Sequence, residues 1–229
     1  MDSTKVDVPL NKLDLDYWEK RWTDNKVGWQ RERVNKFLDR YLSRLLPKAG
    51  SKVFVPLCGK TVDMRYLADK GHSVVGLEFS EKAVLEFFQE QKFQFTKSEA
   101  HGFTEFTAVG ASIRILQGDF FLATKEAVGE VDAIWDRASL VAINPDEREK
   151  YAKTIVSLLS ADSIYMIQGI DYKQTEHGGP PFSVDAGVVS HLYGGGFNIE
   201  FLSEEADAAS AAKFKMSSFV DNAFLLTAK

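Results

Sequence analysis

Lys52-Val-Phe-Val-Pro-Leu-Cys-Gly-Lys60 and, shortly after it, Val74-Val-Gly-Leu-Glu78 decide the fold of this chain. An apolar run breaks at a single glycine, helical spacing follows over residues 62–70, and a second apolar run ends in an acid. Strand, tight loop, helix and strand in that order make the first unit of an open, doubly wound α/β sheet. In such sheets a nucleotide-like ligand lies outside the carboxyl ends of the strands. The loop after the first strand meets it, and an acid after the second strand takes the ribose hydroxyls. Glu78 follows Gly59 by nineteen residues, a spacing that suits an adenosine-containing cofactor.

What the loop lacks separates the cofactor classes. A dinucleotide needs G-x-G-x-x-G for backbone to approach a pyrophosphate, and Gly59 is the only glycine between Lys52 and Gly71. Gly59-Lys60-Thr61 mimics the end of a phosphate-binding loop, but that loop needs glycine where Phe54 stands inside the strand. S-adenosylmethionine carries a ribose diol and an adenine without phosphates, so one point of close backbone approach suffices, and Gly59 supplies it. The same residues also fit a structural turn and a solvated strand-end acid.

Composition bounds the rest. The chain has 229 residues, 45% hydrophobic and 27% charged, with net charge −5, as expected of one compact domain over 1–229 with residues 1–16 as a disordered tail. No basic cluster is interleaved with aromatics, so no nucleic-acid partner is expected. No apolar run approaches the ~18 residues of a membrane span, so no membrane partner is expected either. Cys58 is the single cysteine. A reducing, cytoplasmic setting follows, and the four histidines with that cysteine show no metal-ligand spacing.

Apolar spacing predicts helices over 14–22, 32–46, 62–70, 81–91, 146–160 and 185–192. Strands are predicted over 53–56, 74–78, 113–117, 133–136, 164–170, 198–202 and 219–227. The first five strands read as parallel by their alternation with helices. Residues 93–111 read as an insertion without a clean period, with a turn signal at His101-Gly102.

Five segments together resemble the thiopurine S-methyltransferase family: Pro56-Leu-Cys-Gly-Lys60, Gly71-His-Ser-Val-Val-Gly-Leu-Glu78, Trp135-Asp-Arg-Ala-Ser-Leu-Val-Ala-Ile-Asn-Pro145, Gly179-Pro-Pro-Phe182 and Leu225-Leu226-Thr227. The resemblance runs from about Tyr17 onward. It implies a Rossmann-like, doubly wound, seven-stranded sheet with an antiparallel last strand and an N-terminal helical lid. It also implies a monomer that moves the methyl group of S-adenosylmethionine to the sulfur of a small aromatic or heterocyclic thiol, leaving S-adenosylhomocysteine. Selenium compounds, halide ions and thiocyanate are alternative acceptors, and a non-catalytic S-adenosylmethionine-binding protein is a second reading.

The resemblance places cofactor contacts at Trp18, Trp29, Leu57, Gly59, Glu78, Asp119, Phe120 and Arg137. Substrate contacts fall at Trp29, Arg137, Pro181 and Phe182, with Arg137 as the catalytic position. The residues themselves carry other readings beside these. Trp18 and Trp22 share one helix face that can pack on the sheet or form an aromatic lid near a sulfonium. Asp119 can accept from an adenine amine or cap the next turn, and Phe120 can cover a base or fill the core. Arg137 can favour a thiolate or pair with Asp136. Cys58 reads as a buried small residue rather than a nucleophile. Where relatives carry a C-terminal basic residue, the chain is alanine-rich, with Lys213 or Lys215 as the replacement.

Overall fold

The computed structural model describes residues 10–229. Residues 1–9 of the expected tail lie outside the described residues, and the remainder of it is largely exposed but tied down at two points. Asn11 N–H donates to Gly178 O at 2.8 Å and Leu13 N–H to Asn144 Oδ1 at 2.9 Å, with Leu13 buried. Helix α1 (Leu15–Thr23) starts here, its first turn capped by Asp14, which accepts from Tyr17 N–H at 2.8 Å.

One nine-stranded sheet organises the chain. Its parallel centre is β1 (Lys52–Val55), β2 (Ser73–Glu78), β5 (Ile113–Gln117), β6 (Val131–Arg137) and β7 (Leu159–Asp171), the five strands expected to be parallel. The hairpin β3 (Phe95–Ala100) and β4 (Phe103–Ala108) extends one edge through β5, and β8 (Phe197–Ala206) and β9 (Val220–Ala228) extend the other. The strand order is β3-β4-β5-β2-β1-β6-β7-β9-β8, with β9 antiparallel to both of its neighbours.

Nine strands therefore replace the seven expected, and the added pair is the segment read as an insertion. Edge strand β3 is exposed at every position but its last, so no in-and-out alternation marks it. Its turn is legible: His101 and Gly102 both have positive φ, +52° and +81°, as a two-residue hairpin loop of type I′ requires. The helices fall where spacing placed them: α2 (Lys36–Leu45), α3 (Val62–Asp69), α4 (Glu81–Glu90), α6 (Arg148–Leu158) and α7 (Ala186–Tyr193). Two short helices, α5 (Lys125–Val128) and α8 (Ala208–Phe214), were not expected. Neither is long enough to establish a period.

Side chains alternate across the central strands into two cores. Phe54, Val75, Leu77 and Ile134 enter one with Tyr151, Ile155 and Tyr165. Val53, Val55, Val74 and Trp135 enter the other with Phe37, Leu67 and Phe87. Strands covered on both faces read as continuous apolar runs, which is why β1 and β2 stand out in the sequence. The chain leaves β1 toward β2 on one side and reaches β6 on the other. A crevice therefore opens at the carboxyl ends of these three strands.

Candidate active site

The crevice holds a cavity of roughly 660 Å³, including its open mouth. Its floor is the loop after β1, whose tight course needs left-handed backbone at Leu57 (φ +45°) and Gly59 (φ +52°). For leucine that conformation is strained by about 1–2 kcal/mol. Ala138, directly after β6, shows the same strain at φ +63° and also lines the cavity. Two non-glycine residues forced into this region at the mouths of adjacent strands mark a site under functional constraint.

Glu78 ends β2 beside that floor, and it is buried. Its Oε2 accepts from Gly59 N–H at 2.8 Å and its Oε1 from Ser80 N–H at 2.9 Å. Burial raises its pKa above the usual carboxylate value, and those backbone N–H groups work against the rise. An ionised carboxylate offers about four acceptor positions, and the two backbone bonds leave about two toward the cavity. A ribose diol brings two donors, so the carboxylate fits the group assigned to it.

The roof is aromatic. Trp18 and Trp22 from α1 each meet Trp29 edge to face, at 5.4 and 5.8 Å between ring centroids, and all three line the cavity. Lys82 Nζ on α4 donates to Trp22 O at 2.6 Å and holds the roof down. Trp22, left open in the sequence between sheet packing and a lid, is 3% exposed and forms cavity wall, and a Cβ at Gly59 would come within 3.1 Å of its ring.

Arg137 ends β6 and does not pair with Asp136. Successive strand residues point to opposite faces, so their side chains diverge. Arg137 lines the cavity and its Nη2 donates to Trp29 O at 2.8 Å. Burial pulls its pKa below the usual guanidinium value, and the Asp63 carboxylate opposes that pull. Asp136 enters the core with no exposed surface, accepting from Tyr165 Oη at 2.7 Å, Tyr151 Oη at 2.8 Å and Leu140 N–H at 3.1 Å. Burial raises its pKa against those bonds.

Trp18, Trp29, Leu57, Gly59, Glu78 and Arg137 are thus gathered around one cavity. The other four candidates do not line it. Asp119 accepts from Phe121 N–H at 2.9 Å and caps a single 3-10 turn. Phe120 is stacked on Tyr151 at 4.7 Å in the core, because the chain turns inward straight after β5. Pro181 O accepts from Tyr172 Oη at 2.7 Å, and Phe182 is fully buried with its N–H on Val141 O. Gly179-Pro-Pro-Phe182, read from sequence as a pocket wall, is therefore a braced segment that does not line this cavity. Cys58 is buried and its thiol pKa is raised well above the ordinary value by that burial, so it is no nucleophile.

Sequence reasoning passed over Gln30, Phe79 and Ile143, which also line the cavity. Gln30 sits next to Trp29, and that adjacency was the available signal.

The family model described as Thiopurine S-methyltransferase matches residues 13–229. The chain belongs to that family. A thiopurine S-methyltransferase of Pseudomonas paraeruginosa is 43% identical over 190 residues, covering 83% of this chain and 86% of the relative. A probable thiopurine S-methyltransferase of Danio rerio is 37% identical over 222 residues, covering 95% and 96%. Among solved structures, the Burkholderia thailandensis 1,6-didemethyltoxoflavin-N1-methyltransferase with bound S-adenosylhomocysteine superposes with TM-score 0.63. It is 13% identical, with 96% of this chain and 94% of that one covered, and so shares the fold. The family's cofactor is S-adenosylmethionine, and the Glu78–Gly59 corner fits its ribose. No helix among the described residues is long and apolar enough to cross a membrane.

Proposed function

We propose that this protein methylates the sulfur of a small, acidic aromatic or heterocyclic thiol, thiopurine-like in shape, by direct in-line displacement. The observation that carries the reading is the placement of Glu78 and Arg137 on β2 and β6, on either side of Gly59, under one aromatic roof. When bound, S-adenosylmethionine supplies an electrophilic methyl group on a sulfonium.

The chain's own groups do the rest. Glu78 holds the ribose hydroxyls, and Leu57 and Gly59 offer backbone at close range. Trp18 and Trp29 exclude water and turn π-faces toward positive charge. Arg137 keeps its charge in the partly buried site and lowers the pKa of a neighbouring thiol, holding the acceptor as thiolate. Displacement joins a negative and a positive centre, so a poorly hydrated pocket favours the reaction and orientation supplies most of the rate. An acidic heterocyclic thiol is already partly ionised at neutral pH, and no general base is assigned.

Asp119 serves adenine from the rim of the site, and Phe120 supports it from the core. Pro181 and Phe182 shape the acceptor side from behind. Lys213 Nζ, 3.4 Å from a Cβ placed at Gly28, stands beside the roof loop. We take 1–229 as one domain acting as a cytoplasmic monomer. The support is that one continuous sheet runs through the described residues and that the single thiol is buried and unpaired.

The test is calorimetry with S-adenosylmethionine, then a screen for methylated products over small thiols, selenium compounds and halides. Turnover that is fastest with heterocyclic thiols supports the reading. Cofactor binding without turnover of any acceptor overturns it in favour of a binding protein.

A further inference from the structure

Gln30 occupies a place in the cavity that no assignment above uses. It follows Trp29 in the roof loop, its backbone N–H bonded to Val27 O at 2.9 Å, and its side chain rests on the floor glycine. A Cβ added at Gly59 would collide with Gln30 Nε2. The side chain lines the cavity, and its amide makes no hydrogen bond to any other described residue. Gln30 is half-buried, so this amide is open to the cavity with two donors and an acceptor to offer a ligand.

The sheet says which part of a ligand would face it. In doubly wound sheets the acid after the second strand takes the ribose, and the glycine loop after the first strand takes whatever the ribose carries at its 5′ carbon. Dinucleotides put a pyrophosphate there. In the cofactor of this family the 5′ substituent ends in an amino acid, one carboxylate and one ammonium. Gln30 Nε2 can donate to the first and Oε1 can accept from the second, and a neutral amide suits a zwitterion better than a side chain of either charge. The ionic side chains on the cavity wall have other parts in this reading, Glu78 with the ribose and Arg137 with the acceptor, and backbone holds each in place, Glu78 through Gly59 and Ser80 and Arg137 through Trp29.

Resting on the cofactor reading above, we propose that Gln30 selects the cofactor by binding its amino-acid end over Gly59. The test compares two probes that share the adenosine and thioether but differ in that end: S-adenosylhomocysteine, which has it, and 5′-methylthioadenosine, which does not. Gln30→Met keeps bulk on Gly59 and removes the amide. By calorimetry it is expected to weaken S-adenosylhomocysteine about tenfold or more, since a hydrogen bond to a charged group is lost, and to leave 5′-methylthioadenosine within about twofold. Gln30→Ala is expected to give the same split, and an unchanged melting temperature without ligand confirms that both variants fold. Equal losses for the two probes, or an unchanged affinity for S-adenosylhomocysteine, would overturn the role of Gln30. Failure of the unaltered protein to bind either probe would overturn the cofactor reading instead.

Discussion

Arg137 Nη2 donates to the carbonyl oxygen of Trp29 at 2.8 Å, so the end of a central strand is bonded to the loop that roofs the cavity. In the proposed reading one guanidinium therefore both faces the acceptor and braces the enclosure. Removing it acts on both.

Arg137→Ala is expected to lose kcat/KM most for weakly acidic alkyl thiols, whose ionisation at neutral pH depends on the guanidinium, and least for acidic heterocyclic thiols. A smaller loss common to all acceptors is expected from the loosened roof. Arg137→Lys recovers part of the gradient, because ammonium keeps the charge without the planar fork. A thiol series of graded pKa, run on the unaltered protein and both variants, measures this. A flat loss across the series would confine Arg137 to bracing.

Glu78→Ala is expected to weaken S-adenosylhomocysteine by about 1.5–3 kcal/mol, the worth of hydrogen bonds to a charged group, with little change in the fold. Because burial raises the Glu78 pKa, the carboxylate takes up its proton above the usual value of about 4.3. Affinity for S-adenosylhomocysteine should therefore decline on acidification before ordinary glutamates titrate, and Glu78→Gln should flatten that decline. Calorimetry between pH 4.5 and 8 reads the difference.

The same upward shifts set a stability slope. A carboxyl with a raised folded pKa binds its proton more tightly when folded. The stability it contributes is present below the unfolded pKa and is lost as pH rises through the folded one. Glu78 and Asp136 both act in this direction. Denaturant unfolding is expected to show Glu78→Gln gaining on the unaltered protein as pH rises through that window.

Asp136→Ala leaves the hydroxyls of Tyr151 and Tyr165 without their shared acceptor in the core. Loss of about 3 kcal/mol is expected, or roughly 6–12 °C in melting temperature for a chain of this size. Asp136→Asn keeps an acceptor oxygen and is expected to cost less than half of that. A smaller fall for alanine than for asparagine would remove the network from the account of stability.

The parallel centre and the Glu78–Gly59 corner were legible because fully covered strands repeat apolar residues and because one positive-φ glycine and one acid have few other uses in that pairing. The β3–β4 hairpin was missed because an exposed edge strand carries no alternation. Phe120 and Phe182 followed the family's positions, but a motif does not say which face of its loop a ring takes. Both rings turned inward, Phe120 onto Tyr151 and Phe182 beside Gly179 with no exposed surface. Trp22 and Gln30 became visible only when α1 and its following loop were seen folded down on Gly59, a contact between residues far apart in the chain.

The position of β9 sets the order in which the sheet can be completed. β8 is made earlier along the chain, yet among the described residues its only strand partner is β9, which lies between it and β7. Until β9 arrives, β8 has no neighbour to join and the edge of β7 stands open. Assembly of this half therefore waits on a single late insertion that closes two antiparallel ladders at once. Such non-local pairing is slow, and an unpaired β7 edge is the place where partly folded chains would find one another.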